Sequence, residues 1–456
     1  MSAPEAPDAM PETRAATLLR LRPVWAVPAI LATVLVTLMT LIYFGSIVDP
    51  ASHLHGLPVL IVNEDLGARG PAGEVDLGQE AVSGLTRSAV SSRLALDVTT
   101  LSQAKTQLEK GADFAAIVIA RGFTSSVVDL VKPGSPSTSS TPPPAIELLT
   151  NSRAGTLGVS LANGVLEPAL DQFSKEVGQQ LLGDLSHETV TSDIKTLLAS
   201  PVAIDVVSYE PLPAHSGLGL SAFYIALLTT MCGFLGATII NGGIDAALGY
   251  ATSEVGPWWR QRRPLRITRW QTLLTKWLMA FALAPLLTAV MLAVAAGILQ
   301  MDAPHLVMLW LFVSCGAIVI AIGTLVLFAV LGSLGQLIAI LVFVYLALAS
   351  SGGTVPLQAE SGFYRFVSNF EPLRQILSGV RAILYFNAQG DAGLTRGFLM
   401  TAIGFVLWVV VGTVVTTWYD RRGFDRIEPE LLEYINRSAT EFANRTQESP
   451  TDPEAT

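Results

Sequence analysis

The sequence predicts a polytopic α-helical membrane protein: six transmembrane helices, with an α/β extracytoplasmic domain between helices 1 and 2. Three observations carry that expectation. The 456 residues are 51% hydrophobic and only 14% charged, with a mean hydropathy of +0.50, whereas a soluble globular chain carries about 25% charged residues. The deficit is concentrated in runs of about 20 apolar residues, the length that crosses a hydrocarbon core of about 30 Å. Between the first and second run, residues 48–217 have the mixed composition of an ordinary folded domain.

The spans are expected at 23–47, 218–241, 273–300, 306–331, 336–350 and 397–419, after an N-terminal tail of residues 1–22 and before a C-terminal tail of 420–456. The first reads as a retained anchor: its apolar stretch is too long for a signal-peptide core, and Gly45 to Pro50 is a poor cleavage site. Orientation follows from arginine next to the spans. Arg14, Arg20 and Arg22 precede the first span; Arg260, Arg262, Arg263, Arg266 and Arg269 lie in the 242–272 loop; Arg421, Arg422 and Arg426 follow the sixth span. These segments alternate correctly for an even number of crossings. Both termini and the 242–272 loop are therefore expected in the cytoplasm, and residues 48–217 and 351–396 outside, in a bacterial inner membrane. Trp25, Trp258, Trp259, Trp270, Trp277 and Trp418 fall near span ends, as interfacial aromatics do.

Within the outer domain, residues 57–65, 94–100 and 113–120 read as strands, with a helix over 101–111 closed by Gly111. Alternation of this kind predicts an α/β layer with partly parallel pairing. A Pro/Ser/Thr-rich loop covers 133–144, and a further strand is expected at 145–150. A long helix follows at 156–182 and a closing strand at 203–209. The long helix reads equally as a core helix covering the sheet and as a stalk or dimerisation surface.

Recognisable reaction chemistry is scarce. Acidic residues give a net charge of −9 without a basic surface, so nucleic acid is not an expected partner. Cys232 and Cys315 both fall in apolar spans, which leaves the outer domain no disulfide and the chain no Cys-x-x-Cys site. No Gly-x4-Gly-Lys phosphate loop, no His-Glu-x-x-His and no Gly-x-Ser-x-Gly occurs. The expectation is a protein that is not an enzyme, with no cofactor and no metal; the pair His53 and His55 is a weak ligand set on its own. Asp245 stands just past the second span and Lys276 near the start of the third. Charges at mid-membrane are costly and mark ion pathways; their scarcity here argues against an autonomous proton-driven pump.

Three polar segments remain. Residues 253–270 mix tryptophan and arginine in a manner that suits an interfacial helix on anionic headgroups, or a docking site for a cytoplasmic partner; Trp258, Trp259, Arg260, Arg262 and Arg263 are the candidate contacts. Residues 351–396 are too polar to span and are expected to dip into the outer leaflet as short helices. Phe363, Phe366, Phe370, Leu373, Ile376, Leu377, Val380 and Leu384 recur there at helical spacing. This segment is either an amphipathic cap or a gate, and Pro356, Glu371, Arg374 and Arg381 are its candidate path-lining residues. An amphipathic helix is expected at 427–444.

The stretches Leu57–Ala68, Asp113–Phe123 and Asn151–Gly155, together with Ser351–Pro356, Glu371, Pro372 and Arg381, resemble membrane proteins of the ABC-2 permease type over residues 20–420. The resemblance is closer to the YhgE/Pip (phage infection protein) and nitrosoguanidine-resistance groups. It implies a permease subunit that exports a lipophilic or amphipathic compound, as in multidrug resistance. It also implies a homodimer, or a heterodimer with a sister permease, whose 253–270 loop contacts a separate cytoplasmic ATPase. The alternative is a non-transporting envelope anchor or receptor whose outer domain binds a ligand, wall polymer, phage or secretion partner.

Overall fold

The computed structural model describes residues 22–47, 49–70, 73–130, 144–184, 198–260, 262–424, 426 and 437; the 133–144 loop, save for its last residue, and the 427–444 helix, save for Arg437, lie outside them. Two bodies of structure follow from the two kinds of sequence pattern.

The first is an α/β domain on a five-stranded mixed sheet. Its strands are β1 (Leu57–Asn63), β4 (Leu94–Thr99), β5 (Ala115–Ile119), β6 (Ala145–Thr150) and β7 (Ala203–Ser208), in the order β4-β1-β5-β6-β7. Only the β5–β6 pair is antiparallel. Side chains alternate across a strand, so β1 feeds two cores. Leu57, Val59 and Ile61 join Ile117, Ile119, Ile146 and Leu148 on one face. Leu60 and Val62 join Ala116, Val118 and Leu149 on the other. The first core is covered by α2 (Leu77–Arg87) and by the long helix α6 (Thr156–Asp184), which supplies Ala162, Leu166, Leu170, Phe173 and Val177. Its stripe is thus spent on the sheet. The second core is covered by α4 (Leu101–Glu109), whose Ala104 and Leu108 point inward and whose Thr100 and Gln103 form a capping box.

Residues 64–93, which the sequence left unassigned, hold a small hairpin, β2 (Ala68–Gly70) with β3 (Gly73–Val75), then α2 and the short α3 (Val90–Arg93). Buried Asp65 ties this insert down. It accepts hydrogen bonds from the Gly78 N–H at 3.3 Å, the Thr124 N–H at 3.2 Å and the Thr124 hydroxyl. These donors open α2 and α5 (Phe123–Asp129), so one carboxylate sits at two helix N-termini. A Cβ on Gly78 would lie 2.6 Å from Asp65 Cβ, which explains the glycine.

The second body is a helix bundle. Among the described residues, four helices are long and apolar enough to cross a membrane: α7 (Ser221–Ala247), α8 (Arg269–Leu292, continued as a π-helix to Ile298), α9 (Leu306–Leu331) and α13 (Thr395–Arg421, entered through a π-turn from Gly390). In α9 the apolar window is 72% buried, against 6% in α13, which makes α9 the hub around which α7, α8 and α13 pack. Close approach of α7 to α9 needs Gly233, where a Cβ would stand 2.7 Å from the Ala317 carbonyl oxygen. The expected first and fifth spans are shorter apolar helices. They lie in α1 (Arg22–Ile47, apolar over Ala32–Ser46) and α10 (Ser333–Ala349, with a π-helical middle). The two meet through an edge-on Tyr43–Tyr345 contact, and the Tyr364 hydroxyl donates to the Ile42 carbonyl at 2.9 Å.

Two sequence expectations change in detail. Residues 253–260 are not a helix: Ser253–Val255 (β8) and Trp258–Arg260 (β9) pair as an antiparallel hairpin. The Gly256-Pro257 turn, with Gly256 at φ +60°, breaks any helix there. Within 351–396 the expected short helices are a 3₁₀ turn (Leu357–Ala359), α11 (Gly362–Val367) and α12 (Pro372–Tyr385), and the apolar row is divided between them. Leu373, Ile376, Leu377, Val380 and Leu384 are buried in the bundle, while Phe363, Phe366 and Phe370 are 60–68% exposed.

Candidate functional site

Helix α12 is the element around which the candidate site is organised. Glu371 caps its start, accepting from the Leu373 N–H at 2.9 Å and the Arg374 N–H at 3.0 Å, and Pro372 occupies the first turn, where a missing N–H costs nothing. Close packing of α12 on α9 requires Gly379, since a Cβ there would meet the Phe312 ring at 2.2 Å. Helical geometry then divides the side chains. Residues 374, 377, 378 and 381 form one stripe, and 372, 375 and 376 face the opposite side.

The first stripe lines a cavity of about 180 Å³ between bundle and α/β domain. Its domain side is the turn after α4 and the first turn of α6, Thr156 to Gly158. Its bundle side is the Ser351–Thr354 loop with Pro356, Arg374 and Arg381. Arg381 donates to the carbonyls of Gly353 (3.2 Å) and Gly352 (3.4 Å). The buried Nε of Arg374 has no hydrogen-bond partner among the described residues. Neither guanidinium has a carboxylate within 4.0 Å among them, and the two arginines are the only charged residues lining this cavity. The loop is held in place from the domain side: Val355 and Ala359 enter the domain core, and the His55 N–H donates to the Gln358 carbonyl at 2.9 Å. Next to it Glu360 is 3% exposed, its Oε2 has no hydrogen-bond partner among the described residues, and burial pushes its carboxyl up to about 8, partly opposed by the charge of Arg374.

The opposite face of α12 borders an apolar cavity of about 290 Å³, walled by α9, α10 and α13. Val319, Ile320, Phe343 and Trp408 line it, and Phe366 and Phe370 stand at its side together with Glu371. The four path-lining candidates are thus brought to one helix and the loop before it, and split between two cavities.

At the far end of the bundle lies a third and larger cavity, of about 870 Å³. Lys276 of α8 donates to Asp245 Oδ1 of α7 (2.8 Å) and to Asn241 Oδ1 (2.7 Å). Arg426 grips the same carboxylate with both guanidinium nitrogens, at 2.7 and 3.1 Å, and stacks on Tyr250 with its carbon 4.5 Å from the ring centre. Asp245 and Lys276 are 8% and 6% exposed. The sequence named these two residues separately but not their pairing. The same end carries the β8–β9 hairpin, where Trp258, Arg260, Arg262 and Arg263 are exposed; the side chain of Trp259 is outside the described set. These residues line none of the three cavities. His53 and His55 are exposed, and each ring Nδ1 is bonded to a backbone carbonyl.

A profile of the family described as "Protein of unknown function (DUF3533)" matches residues 28–414. It gives no support to the phage-infection protein group in particular. A comparison with curated proteins finds no match. Among solved structures, a crystal structure of a domain assigned to an ABC type-2 transporter of Thermotoga maritima MSB8 is 19% identical, covering 37% of this chain and 97% of that one, with a TM-score of 0.24. At that score the two folds are not shown to be the same.

Proposed function

The chain belongs to the family described as "Protein of unknown function (DUF3533)", and we propose that within it the chain acts as an ABC-2-like permease subunit exporting a lipophilic or amphipathic compound. One observation carries this reading: a cavity with charged residues set in a largely apolar wall, an apolar cavity and a polar cavity occur at successive levels of a single helix bundle. Their lining residues step along α9 and α13, from Phe328 and Tyr419 at the far end to Val319 and Trp408 near the middle, and then to Arg381 and the loop at Ser351 beneath the domain. An anchor needs only apolar side chains outside and close packing inside. Cavities with apolar walls and a few convergent polar groups are where small amphipathic ligands bind.

In this reading α1 and α10 complete six spans, residues 48–217 face outside, and both termini face the cytoplasm of a bacterial cell. Pro356, Glu371, Arg374 and Arg381 line the outer exit. The exposed hairpin with Trp258, Trp259, Arg260, Arg262 and Arg263 is the contact for a separate ATPase, and two copies assemble as a dimer. The test is complementation of a deletion strain that has become sensitive to a lipophilic compound. The full chain is expected to restore resistance, and the α/β domain carried on one foreign span is not. Restoration by the tethered domain would sink the transport reading and favour an envelope receptor.

A further inference from the structure

We infer that the cavity between the α/β domain and α12 is a binding site for an anionic group: a phosphate, sulfate or carboxylate, carried as the head of an amphiphile. Three independent features converge on it. Arg374 and Arg381 sit one stripe apart on α12, and neither has a carboxylate within 4.0 Å among the described residues. Glu360 and Glu371 act on Arg374 only at longer range, and a guanidinium held out of water with no direct ion pair gains most from an anion brought within hydrogen-bond reach. Arg374 Nε is buried and unbonded among the described residues, so a donor is in place with no acceptor from them. Arg381 uses its guanidinium on two carbonyls, Gly352 and Gly353, which hold it beside the cavity without neutralising it.

The third feature comes from the other body of structure. The first turn of α6, Thr156 to Gly158, lines the same cavity. A 29-residue helix presents unsatisfied N–H groups and the positive end of its dipole there. Glycine lets the first turn of α6 come close to the cavity wall: a Cβ on Gly158 would lie 2.2 Å from the Phe114 ring, and Gly155 stands beside Arg381, 3.8 Å from its Nη2 to an added Cβ. Two guanidiniums and a helix N-terminus around about 180 Å³ suit the planar or tetrahedral head of an anion, which guanidinium binds in bidentate fashion. The anion site stands on its own geometry; that its occupant is the exported compound rests on the permease reading.

The experiment uses the full chain in a neutral maltoside detergent, with dodecyl phosphate, dodecyltrimethylammonium and inorganic phosphate as probes and calorimetry as readout. Dodecyl phosphate is expected to bind at least ten-fold tighter than the cationic probe, and Arg374→Gln or Arg381→Gln to weaken it at least ten-fold. Arg381→Lys, which keeps the charge but loses the fork, falls between. Thr354→Trp, at an exposed lining position, blocks the mouth with both arginines intact and is expected to abolish binding, which covers the case of an unfolded arginine variant. Equal binding of the two amphiphiles, or unchanged affinity in all these variants, overturns the site. Inorganic phosphate binding as tightly as dodecyl phosphate overturns the headgroup assignment in favour of a free anion. Loss of binding in Arg374→Gln with resistance to the exported compound intact leaves the site standing and removes it from transport. Absence of binding with transport present overturns this inference alone.

Discussion

Replacing Asp245 by asparagine isolates the strongest polar contact in the bundle. The carboxylate accepts three charge-assisted hydrogen bonds, from Lys276 at 2.8 Å and from Arg426 at 2.7 and 3.1 Å. Removing one partner of a buried ion pair costs about 3–5 kcal/mol, because the remaining charge is left uncompensated. Lys276, with a side chain 7% exposed, keeps only neutral acceptors, Asn241 and the amide oxygen of the replacement, and loses its counter-charge, whereas Arg426, at 25%, can turn toward water in the adjoining cavity. We therefore expect a loss at the lower end of that range, about 3 kcal/mol. The assay is reversible denaturant unfolding in mixed micelles, followed by tryptophan fluorescence. Lys276→Met alone should cost less, because Arg426 still neutralises Asp245. The double variant Asp245→Asn/Lys276→Met should regain part of the loss, giving a coupling energy of about 1–3 kcal/mol in the cycle. A loss under about 1 kcal/mol for Asp245→Asn, or strict additivity in the double variant, would refute the reasoning.

Three further outcomes are expected. Gly379→Ala drives a Cβ to 2.2 Å from Phe312 and should destabilise the α9–α12 contact by about 1–3 kcal/mol, read as a lower unfolding midpoint. Asp113 is buried, and desolvation, with the charge of Asp97 second, pushes its carboxyl up to about 6. A raised carboxyl keeps its proton in the folded state where the unfolded chain releases it, so stability falls as pH rises from about 4 to about 6; melting temperatures at pH 4 and 7 should converge in Asp113→Asn relative to the parent. Charge reversal of Arg260, Arg262 and Arg263 to glutamate, on the exposed hairpin end, should remove an ATPase from affinity pull-downs of native membranes while leaving the protein folded. Recovery of the same companions from both proteins would free the hairpin of that role.

The strands were legible because each carries its own signal. Leu57–Asn63 and Ala115–Ile119 are short apolar runs ended by polar residues or a turn, and central strands covered on both faces read that way. The long helix at Thr156–Asp184 was legible in extent but not in role; only the packed sheet shows that its apolar stripe faces the core. The hairpin at 253–260 is masked by its tryptophan and arginine composition, and only the Gly256-Pro257 pair signals the turn. Arg374 and Arg381 are legible as candidate path-lining residues, but their shared helix face and the cavity between them and α6 join chain segments that no local pattern connects. The ion cluster is harder still, since Asp245 finds Lys276 31 positions away and Arg426 181 positions away.

The central claim, passage of an amphipathic compound through the bundle, is tested most directly by retention of a fluorescent lipophilic anion in cells. Cells expressing the chain are compared with cells expressing Thr401→Trp, which fills the apolar cavity between α9, α10 and α13. The account predicts faster loss of the dye with the parent chain, and retention like that of empty cells with Thr401→Trp, at equal amounts of membrane-inserted protein. Equal retention in all three, or unimpaired loss through Thr401→Trp, would contradict it.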